Sequence, residues 1–164
     1  MSDFYELLDK ADEMVQEAIN NLPLPTAYRQ IVVGLNSENE DFDSAKFKDF
    51  SEIADGNHPQ FPGVYFAYTI EQGFISKPDY KKVLLYVGQG ENMHTRITSH
   101  IGGWKGLASK EGSKKALKDY LIDNKKDHLI IHIDYIPIPV KSVLELVEKI
   151  LITTKNPCLN KKGK

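Results

Sequence analysis

Apolar residues recur at helical spacing near the start of the chain. Phe4, Leu7, Leu8, Ala11, Val15, Ala18, Ile19 and Leu22 fall on one face of residues 3–22. The pattern predicts an amphipathic helix, stopped by Pro23 and Pro25. Residues 26–35 fit a short helix or a strand equally well. The polar run 36–43 reads as a loop. Asp43 or Ser44 can cap a helix reaching about Ala54, with Phe47, Phe50 and Ile53 on one side. Asp55-Gly56-Asn57 then makes a turn.

From Pro62 the period shortens to two. Val64, Phe66, Tyr68 and Ile70 alternate with Tyr65, Ala67 and Thr69, which predicts a strand with two unlike faces. A loop holding Gly73, Lys77 and Pro78 follows. Residues 83–87 predict a second strand, antiparallel to the first. Residues 92–101 predict a helix with Met93, Ile97 and Ile101 stacked, ended by Gly102-Gly103. Residues 113–123 predict another helix, lysine-rich outside. Residues 129–136 predict a third strand, stopped by Pro137 and Pro139, and residues 140–154 a last helix. The order β-β-α-α-β-α implies an α+β domain: a small three-stranded antiparallel sheet flanked by helices. Residues 61–164 form this unit, and residues 1–60 a mainly helical extension before it.

Charge divides at the same place. Residues 1–60 carry 13 acidic and 4 basic side chains, a net −9, whereas residues 61–164 carry 17 basic and 10 acidic, a net +7. A basic half suits a polyanion, and an acidic half suits a different partner. No apolar run in the 164 residues escapes interruption by charge, so no membrane span is expected. The acidic N-terminus does not read as a secretory signal. With the single cysteine, Cys158, this makes a reducing cytoplasm the expected location.

Candidate chemistry lies in the basic half. Two antiparallel strands can bring Tyr65 and Tyr86 onto one sheet surface, where each would also serve as an ordinary rim tyrosine. The chain has only two arginines, Arg29 and Arg96, against nineteen lysines. Arg96 and His100 lie four apart on one predicted helix and share a face. A guanidinium offers a planar fork for phosphate oxygens, and an imidazole exchanges a proton near neutrality. In the last helix, Val143, Leu144, Val147, Ile150 and Leu151 make the buried stripe. Glu148 falls on the flank of that stripe and Glu145 nearly opposite, in water. A flank carboxylate suits a hard divalent cation.

Taken in order, Gly63-Val64-Tyr65, Tyr86-Val87-Gly88, Arg96, Glu148, Pro157 and Asn160 resemble the GIY-YIG nuclease superfamily, with valine for isoleucine in both tripeptides. His100, four residues after the arginine, is similar to the restriction-enzyme branch. The resemblance covers about residues 61–162. It implies a metal-dependent endonuclease that hydrolyses DNA phosphodiesters with one Mg²⁺ or Mn²⁺. Glu148 is then the metal ligand and Arg96 the group on the scissile phosphate. Tyr65 or Tyr86, with His100, orients or deprotonates water, and Asn160 fixes the glutamate or the backbone nearby. Gly88 is expected to let backbone approach the nucleic acid.

Gln89 stands where many members of the family carry lysine, and Lys81, Lys82 or Lys105 are candidate replacements at the nucleic acid. The departure at Gln89 also fits a relative that binds nucleic acid without cutting it. A third alternative is a protein-interaction module whose acidic region binds a protein partner or masks the basic face. Cutting both strands symmetrically would require a homodimer or two successive nicks.

Overall fold

Period-two alternation with β-branched residues on both phases builds a sheet covered on both faces. The computed structural model describes residues 2–36, 41–42, 58–72, 80–104 and 111–160. The order is α1 (Ser2–Asn20), β1 (Thr26–Asn36), β2 (Asp41–Phe42), β3 (Gly63–Gln72), β4 (Tyr80–Gly90), α2 (Met93–Trp104), α3 (Glu111–Asp123), β5 (His128–Pro137), a 3-10 turn (Lys141–Val143) and α4 (Leu144–Lys155). The class is α+β, as the pattern implies.

The sheet has four long antiparallel strands rather than three, with the two-residue β2 on one edge and the order β2-β1-β5-β3-β4. The extra strand is β1, in the segment whose local pattern fits helix and strand alike. It pairs with β5 from Thr26 opposite Tyr135 to Gly34 opposite His128. Ile31 and Val33 both enter the core from it. Local propensity could not decide this segment, because the partner that makes it a strand lies far along the chain. In its described part the N-terminal region holds α1 and then β1, a strand that joins the sheet. The helix expected over 44–54, the turn at 55–57 and the loop at 73–78 lie outside the described residues.

The alternation in β3 sorts its residues as expected. Tyr65 and Ala67 join a core with Leu85, Met93, Ile97, Leu117 and Leu121, under α2 and α3. Val64 joins Val87, Ile136, Leu144, Val147 and Leu151 on the opposite face, under α4. Ile19 and Leu22, at the end of α1 and just beyond it, pack against this second cluster. Farther back, Phe4, Leu7 and Leu8 are exposed. Each fully buried large aliphatic side chain contributes roughly 1.5–3 kcal/mol.

Two helix ends differ from expectation. α2 continues through Gly102-Gly103 to Trp104, since an interior glycine costs only about 1 kcal/mol and does not force a stop. The last helix starts as a 3-10 turn, becomes α at Leu144, and ends at Asn156 in the left-handed region, φ 47°. The chain then turns back along β4. Cys158 N–H donates to Leu84 O at 3.2 Å and Leu159 N–H to Leu85 O at 2.7 Å. This tail covers a sheet edge that would otherwise be open. Among the described residues, no helix is long and apolar enough to cross a membrane.

Because β1 pairs with β5 along most of its length, truncations should separate sharply. Deleting residues 1–21 is expected to leave a folded protein with Tm lowered by a few degrees. Deleting residues 1–36 strips one side of β5 and uncovers Ile131 and Ile133, and is expected to yield no cooperative unfolding transition by circular dichroism.

Candidate active site

α2 is positioned by the segment leading into β3. Met93 N–H donates to Phe61 O at 3.1 Å, His94 N–H to Pro59 O at 2.9 Å, and Thr95 N–H to the Asn92 side-chain oxygen at 3.0 Å. Three N–H groups that a helix start leaves without internal partners are thereby satisfied. Pro62 O also accepts from Ile138 N–H at 2.9 Å, tying the same segment to the end of β5. α2 is thus anchored at the point where β3 begins.

Tyr65 of β3 pairs directly with Gly88 of β4. A Cβ on Gly88 would lie 2.5 Å from both Cε1 and the hydroxyl oxygen of Tyr65. The glycine of Tyr-Val-Gly therefore makes room for the first motif's own tyrosine, a role separate from the expected approach of backbone to nucleic acid. Gly90, two residues on and on the same strand face, does the equivalent for the arginine. A Cβ there would be 2.8 Å from Arg96 Cβ and 3.0 Å from Cγ.

The aromatic groups meet under α2. Tyr65 is fully buried, and its hydroxyl lies 2.7 Å from His100 Nδ1. The Tyr65 and Tyr86 ring centroids are 6.0 Å apart, and Tyr86 lies 4.2 Å from the His100 ring. Burial pushes the Tyr65 phenol well above its ordinary pKa, with Tyr86 and Glu148 adding to the rise and Arg96 opposing it. Tyr86 is raised too, chiefly by burial, against the pull of Arg96. Neither phenol is ionised near neutrality. Tyr86 is partly exposed, so of the two it is the one within reach of a ligand.

Glu148 enters from α4, half-buried, while Glu145 is exposed, as helical geometry requires. Desolvation raises the Glu148 carboxyl above the ordinary glutamate range. Arg96 and the backbone N–H of Gln89 oppose this, and Glu145 adds to it. Arg96 therefore acts electrostatically on Tyr65, Tyr86 and Glu148 together. Its buried Nε has no hydrogen-bond partner among the described residues.

Asn160 holds backbone rather than glutamate. Its Oδ1 accepts from Val87 N–H at 2.8 Å and its Nδ2 donates to Val87 O at 2.9 Å, clamping β4 between Tyr86 and Gly88. Lys81 and Lys82 sit at the far end of β4, roughly 20 Å from Gly88 at strand rise. The Lys82 ammonium lies 4.3 Å over the Tyr68 ring. Both lysines therefore lie at the opposite end of the strand from position 89. Lys105 lies outside the described residues.

Two participants escaped the sequence reading. Gly90 carried a readable signal, a second glycine in phase with Gly88. The Gln89 amide carried none, because a backbone donor is invisible to residue type. As to metals, no group of three or more His, Cys, Asp or Glu among the described residues forms a ligand cluster. A single half-buried carboxylate is still a fitting donor for Mg²⁺, which keeps most of its waters and binds through one or two carboxylates. No known protein family, curated protein or solved structure matches the chain.

Two measurements check this geometry. Gly88→Ala should destabilise the protein by about 1–3 kcal/mol through overpacking, read as a lower urea midpoint, because the buried Tyr65 ring has nowhere to go. Glu148→Gln should melt about 1–3 °C higher than the parent at neutral pH. Its carboxyl titrates higher folded than unfolded, so ionisation costs stability as pH rises through that range. At acid pH, where the carboxyl is protonated in both states, the two melting temperatures should coincide.

Proposed function

We propose that the protein is a metal-dependent endonuclease that hydrolyses phosphodiester bonds in DNA. The observation that carries this reading is the convergence of five side chains from four elements: Tyr65, Tyr86, Arg96, His100 and Glu148. A guanidinium with an unsatisfied buried donor suits a phosphate oxygen. The basic balance of residues 61–164 suits the rest of the polyanion.

In this mechanism Arg96 holds the non-bridging oxygens and offsets the charge that grows on them. Glu148, whose charged form Arg96 and the Gln89 amide favour, is the residue that would hold Mg²⁺ or Mn²⁺. Such a cation supplies Lewis-acid stabilisation of the leaving 3′ oxygen. Tyr65 acts through His100, holding its Nδ1 and so fixing the ring's orientation. Tyr86, nearer to solvent, orients the attacking water. A phenol raised by burial is a poor base, so proton removal falls to the imidazole rather than to either tyrosine.

A supercoiled-plasmid nicking assay tests this. Nicking should require a divalent cation. Glu148→Gln should remove it, and Arg96→Ala should lower kcat by about 10²–10³-fold. Tyr86→Phe should cost more than Tyr65→Phe at the pH optimum, while Tyr65→Phe shifts the optimum because the hydrogen bond from Tyr65 to His100 Nδ1 is gone. DNA binding without nicking under Mg²⁺ and Mn²⁺ alike would overturn the enzyme reading in favour of a non-cleaving DNA-binding protein.

A further inference from the structure

A second cluster of nitrogen-bearing side chains lies on the other flank of α2, toward β1. His58 and His94 stack with ring centroids 4.0 Å apart and planes 24° from parallel. Both turn Nδ1 to one phenol: Tyr28 OH lies 2.6 Å from His94 and 3.4 Å from His58. One hydroxyl has one proton to give, so it donates to His94 at the shorter distance and accepts, at most, from His58. In each ring Nε2 is the nitrogen that the phenol does not engage. Arg29 completes the group. Its guanidinium lies 4.9 Å from the Tyr28 ring centroid, and NH1 donates to Thr98 Oγ1 at 3.3 Å. Tyr135 of β5 closes the base, edge-on to Tyr28 at 5.9 Å.

The chemistry of this group favours an anion. Burial pushes the His94 pKa down, and its neighbours His58 and Arg29 push it the same way, so an anion set among them would relieve that crowding. All three nitrogen-bearing side chains are partly exposed, so a ligand can reach them. Stacked imidazoles direct their nitrogens side by side rather than at one point. That suits two oxygens of one oxyanion better than the coordination shell of a single cation. A guanidinium alongside is the usual third donor for a phosphate.

We propose that His58, His94 and Arg29 bind a phosphate oxyanion, namely a backbone phosphate of the same nucleic acid whose scissile group lies at Arg96. His94 and Arg96 are two residues apart on α2, so the two subsites straddle one helix, a width of about 10 Å. Only the source of the phosphate rests on the nuclease reading; the anion site stands on its own geometry.

The test follows the imidazole resonances of His58 and His94 by NMR between about pH 5 and 8, in full-length Glu148→Gln protein without divalent metal. One arm adds inorganic phosphate, another a short DNA duplex. An anion that pairs with the imidazolium form should raise both titration midpoints by about half a unit or more. In a parallel binding series at the acid end of that pH range, where the imidazolium form is favoured, His94→Gln, which keeps an acceptor for Tyr28, should reduce the slope of log affinity against log salt by about one. Shifts with phosphate and with DNA support the backbone assignment. A shift with phosphate alone keeps the anion site and overturns its assignment to DNA. Unmoved midpoints in both arms overturn the site, whatever the plasmid assay shows. Absent nicking with shifted midpoints overturns the nuclease reading alone.

Discussion

The ring of Tyr65 occupies the space that a side chain at position 88 would fill, and the geometry of the site follows from that contact. The phenol lies against bare backbone, so β3 and β4 hold one register. A slip of one residue would set Val87 opposite Tyr65 and turn the ring to the α4 face. With the ring held there, its hydroxyl meets His100 Nδ1 at 2.7 Å. The next glycine in phase leaves room for Arg96. Two missing Cβ atoms on one strand therefore set the positions of a phenol, an imidazole and a guanidinium.

α2 is the strut that carries this arrangement to both sides. Its first N–H groups are held by carbonyls of Pro59 and Phe61, so its axis is tied to the start of β3. One flank presents Arg96 and His100 to β3 and β4; the other presents His94 and Thr98 to β1. The chain's two arginines serve these two flanks, Arg96 from the helix itself and Arg29 from the strand beside it. The opposite edge is held by the C-terminal tail. Asn160 grips both backbone groups of Val87, the residue between Tyr86 and Gly88. That is a positioning role: the amide side chain completes the edge of β4 much as another strand would.

What could be read from the sequence was local. Alternation in residues 63–70 placed Tyr65 and Val64 on opposite faces, and helical geometry separated Glu148 from Glu145, because both follow from the period of the element alone. The membership of β1 could not be read, because its strand character depends on pairing with β5, far away in sequence. Gly102-Gly103 misled for the opposite reason, since a weak local signal for ending a helix was overridden. The Tyr28–His94–His58 group was illegible because its members come from three separate segments and no spacing relates them. The Gln89 amide was hidden because it is backbone.

The site concentrates groups whose burial works against ionisation, and their differing fates suggest a division of labour. Tyr65 and Tyr86 are raised further from neutrality, so they remain hydroxyls able to donate and accept hydrogen bonds. Glu148 is raised as well, by desolvation, while Arg96 and the Gln89 amide favour its charged form. Within the nuclease reading, the pair Glu148 and Arg96 is close to neutral before substrate arrives. The incoming phosphodiester adds one negative charge that the pair cannot fully balance, since Arg96 already serves the carboxylate. In that reading Glu148 would hold the divalent cation and Arg96 the phosphate. On this argument Gln89 supports the carboxylate through its backbone N–H, at the position where many GIY-YIG members carry lysine.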